Sequence, residues 1–165
     1  MALFWIPWIW LLVGLAGIGV VDERTRRIPN PTLLALAAME CGWMIVQTGS
    51  AVHEAGWMQA ALPMGQRMLA ALLTFAVSGW IALLKPGALG MGDCKLMAVL
   101  MLYFDLGDGL LVLWVSFFLT LLRGMFRILV AKRNKEPLLA LPFAPQAAVS
   151  GALWFLVQCF GLLGT

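Results

Sequence analysis

The sequence predicts an all-α membrane protein: a bundle of about six transmembrane helices with its N-terminus outside the cytoplasm. Three observations carry this. The chain has 165 residues, 62% of them hydrophobic and 12% charged, with a mean hydropathy of +0.94. That is too little polar surface to cover a soluble domain of this length. The apolar residues come in runs that approach the ~20 residues needed to cross a hydrocarbon core. The cations are also segregated. Arg24, Arg26, Arg27, Lys85, Lys95, Arg123, Arg127, Lys132, Arg133 and Lys135 all fall on or near one side of the expected membrane, and only Arg67 does not. By the positive-inside rule the side they share is the cytoplasm.

The first helix is expected over residues 2–21. No Lys or Arg precedes Arg24, so the basic start of a signal peptide is missing and the helix reads as retained. Pro29 biases Ile28 away from helix. Asn30 is then expected to cap helix 2 (32–49), with Pro31 at its first position. Residues 50–66, with His53, Glu54 and Trp57, read as an outer connection, either an ordinary loop or an interfacial segment. Helix 3 is expected over 67–84 and helix 4 over 93–105, opened by Asp93. A Gly-Asp turn at 106–108 leads to helix 5 (109–129), and a basic inner loop at 130–142 leads to helix 6 (143–162). Between Asp93 and that turn there is room for only about 18 Å of helix, too short to cross a core of roughly 30 Å. Either helix 4 is a partial span, or Asp93 and the glycine-rich segment before it lie below the membrane edge, where irregular backbone must be packed in protein or line a water cavity. The whole chain, 1–165, reads as one transmembrane domain.

Composition excludes several chemistries. The three cysteines form no CxxC pair and there is a single histidine, so no zinc site, metal or cofactor is expected. The spacing of a phosphate loop is absent, and no nucleic-acid partner is expected. Carboxylates remain. Asp22 follows an apolar run, and Asp93 follows three glycines within six residues, Gly87, Gly90 and Gly92. Taken alone, Asp93 reads as a plain N-cap. Taken together, two carboxylates at close range share a proton, one acting as general base on a water and the other polarising a carbonyl. Asp93 at a helix start and Asp22 at a helix end would make Asp93 the base and Asp22 the acid. Glu40, mid-helix 2, is expected to bond to a neighbouring helix. Arg123 and Arg127 share one helix face, as snorkelling anchors or as contacts for a headgroup or substrate. Asp105 and Asp108 read as turn residues.

Asp22, then Arg27-Ile28-Pro29-Asn30, then Gly90-Met91-Gly92-Asp93-Cys94-Lys95-Leu96 resemble the type IV prepilin peptidases, polytopic aspartic endopeptidases of the bacterial inner membrane with a GxGD motif and archaeal relatives. The Leu141-Pro-Phe-Ala-Pro145 segment is also similar to that family. The resemblance implies Asp22 and Asp93 as catalytic pair at the cytoplasmic face, with Glu23, Pro29, Asn30, Gly90, Gly92 and Lys95 binding substrate or shaping the loops. It implies a prepilin or pseudopilin substrate, cut between a short basic leader, which Glu23 would help to hold, and a hydrophobic helix. Longer members carry an N-terminal cytoplasmic segment and methylate the new N-terminus. None precedes helix 1 here, so the chain resembles the short peptidase-only members of Flp/Tad-type pilus assembly. Intramembrane acids also mark proton and ion paths, which makes a coupled transporter the alternative, and an inactive assembly scaffold a third reading. Against the transporter, no inverted repeat occurs and both aspartates fall at one edge.

Overall fold

The computed structural model describes residues 6–85, 89–134, 143–159 and 161; the side chains of residues 53–55, 130–134 and 159 lie outside that description. The expectations for Gly87, His53, Glu54, Lys132, Arg133, Lys135, Leu141 and Pro142 therefore fall outside it, wholly or for their side chains. The described chain forms six helices: α1 (Ile6–Thr25), α2 (Asn30–Ala55), α3 (Trp57–Leu84), α4 (Met91–Tyr103), α5 (Leu106–Asn134) and α6 (Ala144–Cys159). The protein is all-α. Four segments are long and apolar enough to cross a membrane: Ile6–Thr25, Asn30–Val52, Trp57–Leu84 and Leu106–Leu129.

The helices outrun the sequence expectation wherever polar residues were read as loops. Residues 50–66 are not a loop: α2 runs to Ala55 and α3 starts at Trp57, with Gly56 alone between them. Pro63 is accommodated inside α3. The expected turn at 106–108 is the first turn of α5, and the α4–α5 connection is Phe104 and Asp105 alone. Short connections alternate the helix directions. One end of the bundle thus gathers the end of α1, the start of α2, the end of α3, the start of α4, the far part of α5 and the start of α6.

Packing follows the helical repeat. On α1 the buried stripe is Leu11, Leu15 and Ile18; on α2 it is Leu33, Leu36 and Met44. α4 has no such stripe. Cys94, Leu96, Met97 and Val99 through Tyr103 are all buried, so it is apolar nearly all round, as expected of a helix enclosed by others. It touches α1, α2, α3 and α5, while α3, α2, α1, α6 and α5 follow one another around it. Large side chains such as Trp80, Leu83, Trp114 and Leu121 face outward. Soluble monomers rarely expose so much contiguous apolar surface, and these outward faces suit a lipid surrounding.

Candidate active site

Asp22 continues the buried stripe of α1: 11, 15, 18, 22. It is 5% exposed. The carboxylate faces the backbone N–H of Ala144, the first residue of α6, and Oδ2 has no hydrogen-bond partner. Gly19, three residues earlier, permits this contact. A Cβ there would stand 3.3 Å from the Pro145 Cα, so any side chain would press the start of α6 back by a few tenths of an ångström. Beyond Asp22, α1 ends at Arg26 in the left-handed region (φ 54), where the Arg26 N–H still bonds the Asp22 carbonyl at 2.8 Å.

Asp93 is the third residue of α4, not its cap. Gly90 holds the N-cap position in extended conformation (φ −77, ψ 143). The Asp93 carboxylate folds back over Gly90, where a Cβ would stand 3.1 Å from its Oδ2, and faces the Gly90 backbone N–H in the manner of the reach-back half of a capping box. Asp93 still meets the positive end of the helix, from inside the first turn. Of the preceding glycine-rich segment only Leu89 and Gly90 are described.

The two sequence motifs dock on each other. A Cβ on Gly92 would meet the Ile28 Cβ at 3.1 Å, so the α1–α2 turn lies directly on the first turn of α4. Lys95 Nζ donates to Asn30 Oδ1 at 3.0 Å. Asn30 was expected to cap α2, but Pro29 takes that position (φ −70, ψ 118) with no side-chain capping bond, leaving the Asn30 amide for Lys95. Asp22 lies within electrostatic reach of Asp93. Glu23 is held by Arg123 of α5 in an ion pair, with the Arg127 charge nearby.

This geometry changes the division of roles drawn from helix ends. Asp22 does sit near the end of α1, but its side chain faces the start of α6. Both carboxylates therefore meet helix N-termini, and the dipole argument no longer separates base from acid. Ala144 is the participant missed by residue-by-residue reading; its signal was the resemblance around Leu141–Pro145.

The family model for type IV leader peptidases matches residues 8–125. The chain belongs to the type IV leader peptidase family. Neither a curated protein nor a solved structure matches it. For this leader-peptidase family member, the matched segment runs from α1 into α5 and contains Asp22, Ile28–Asn30, Asp93 and Lys95. It stops before α6, so the Ala144 contact to Asp22 lies beyond it.

Proposed function

We propose that the protein is a membrane aspartic endopeptidase that removes the leader of a prepilin or pseudopilin, with Asp22 and Asp93 as its catalytic pair facing the cytoplasm of a bacterial inner membrane. The observation that carries this reading is the docking of two motifs far apart in sequence. Ile28 on Gly92, and Asn30 on Lys95, bring the turn after Asp22 against the helix that carries Asp93. Two carboxylates so placed hold one proton between them. The ionised one takes a proton from a water as it attacks the scissile carbonyl; the protonated one donates to the carbonyl oxygen. Because the pair titrates as a unit, the two exchange roles over a cycle. Leu89–Gly92, at the α3–α4 junction, would lie along the bound substrate backbone.

The test is co-expression with a candidate prepilin, following leader loss by gel mobility. Wild type is expected to shorten the substrate; Asp22→Asn and Asp93→Asn, which keep the shape and remove the ionisable group, are expected to leave it uncut. Processing that survives either substitution would overturn the assignment.

A further inference from the structure

We propose that Arg67 is a positioning residue for Asp93: by gripping Glu40 on α2 and Asp105 just past α4, it fixes how deep α4 sits in the bundle. The proposal rests on the peptidase reading for its consequence, though not for its geometry.

The problem is set by the length of α4. Its 13 residues reach about 20 Å, against a hydrocarbon core of roughly 30 Å. A full-length span takes its depth from the match between its apolar stretch and the bilayer. α4 cannot do so: it is too short and is enclosed by other helices. Its apolar packing, including the seat of Gly92 on Ile28, resists sliding but is not directional. Directional polar contacts must set the register.

They occur at both ends. At the Asp93 end, Lys95 bonds Asn30. At the other end, Arg67 binds Asp105 through Nε at 3.0 Å and through a terminal nitrogen at 2.9 Å, and its other terminal nitrogen lies 3.6 Å from Glu40. Tyr103, the last residue of α4, donates to the Leu36 carbonyl of α2 at 2.9 Å. Glu40 is 2% exposed and lies on the buried stripe of α2, between Leu36 and Met44. The planar guanidinium fork holds two carboxylates in one fixed geometry, which a flexible ammonium does not. A slip at Asp105 is transmitted along the rigid α4 to Asp93. The cluster also accounts for the one cation that escapes the charge segregation of the sequence: Arg67 has a job inside the bundle.

The experiment uses the full chain in proteoliposomes, with Cys41, Cys94 and Cys159 replaced by Ala and a single Asp93→Cys introduced. The rate of labelling by a membrane-impermeant maleimide is compared with and without the neutral triple substitution Glu40→Gln, Arg67→Met, Asp105→Asn, which leaves no charge stranded. The expected result is a severalfold change in rate at position 93, with Glu23→Cys on α1 labelling as before. In the otherwise native enzyme the same triple substitution is expected to lower kcat, by about 100-fold for a 1 Å displacement, and to leave KM unchanged. Arg67→Lys, which keeps the charge and loses the fork, is expected to fall between; if the triple variant does not accumulate in membranes, Arg67→Lys supplies both comparisons. Unchanged labelling at position 93 overturns the proposal, as does wild-type kcat in the triple variant. Should wild type cut no prepilin, the peptidase reading fails and the labelling comparison still decides the role of Arg67.

Discussion

Gly92→Ala is the sharpest probe of the docked motifs. The added Cβ would lie 3.1 Å from the Ile28 Cβ, 3.4 Å from Cγ1 and 3.5 Å from Cδ1. Carbon atoms sit comfortably only at about 3.5–4.0 Å, so one side must retreat by roughly 0.5 Å. Ile28 yields poorly, since Pro29 and Pro31 fix the chain that follows it. Two terms oppose. Alanine in place of glycine inside a helix stabilises by up to about 1 kcal/mol; overpacking costs about 1–3 kcal/mol. The net expectation is destabilisation of up to about 2 kcal/mol, or a Tm lowered by up to ~8 °C at ~2–4 °C per kcal/mol. Turnover is expected to fall by about 10-fold, taking ~100-fold per ångström of misplacement. The assay is a double-mutant cycle with Ile28→Gly, the substitution that removes the opposing Cβ, read by thermal unfolding in detergent and by prepilin turnover. A coupling of about 0.5–3 kcal/mol is expected, with Gly92→Ala no longer harmful once Ile28 is gone. If Gly92→Ala costs the same in both backgrounds, or turns over like wild type, the contact does not set the site.

Three further outcomes follow from the same structure. Lys95→Met removes the bond to Asn30 at an exposed position; it is expected to change unfolding stability by less than ~1 kcal/mol while lowering turnover, seen by running both assays on one preparation. Arg123→Met breaks the half-exposed pair with Glu23; any loss of stability should be small and should shrink as ionic strength rises, in unfolding curves at two salt concentrations. Ser116→Ala removes the buried hydroxyl that bonds the Val112 carbonyl and the Ser150 hydroxyl; since Ser150 keeps its bond to the Ala147 carbonyl, a loss of only about 1 kcal/mol is expected in thermal unfolding.

Periodicity along the chain made part of this site legible. Asp22 falls on the 11–15–18 stripe of α1 and Glu40 on the 33–36–44 stripe of α2, so the helical repeat alone places both carboxylates among buried leucines. Hydropathy misled at the helix ends. Residues 50–66, with His53 and Glu54, read as a connection, yet helices that outlast the hydrocarbon continue as helices with polar residues on them. Capping rules misled at the motifs. Asn30 and Asp93 are good N-cap types, but Lys95 claims the Asn30 amide and Asp93 reaches back to Gly90 from within α4. The partners of Arg67 and Arg123 were beyond sequence reasoning because they are far away along the chain, 27 residues for Glu40, 38 for Asp105 and 100 for Glu23.

The charge balance at the pair ties the short helix to the proposed chemistry. Two ionised carboxylates bring two negative charges into an apolar bundle. Each meets the N-terminus of a helix, Asp93 in the first turn of α4 and Asp22 at Ala144 of α6. A helix N-terminus carries roughly half a positive charge, so together the two ends offset about one. The Arg26 charge also acts on Asp22, and in the proposed mechanism a single shared proton removes the negative charge that is left. That is the protonation state a carboxylate pair needs to act as acid and base at once. In the proposed mechanism the start of α4 must stay near Asp22 for the pair to share one proton, and a depth held by polar anchors would serve that end.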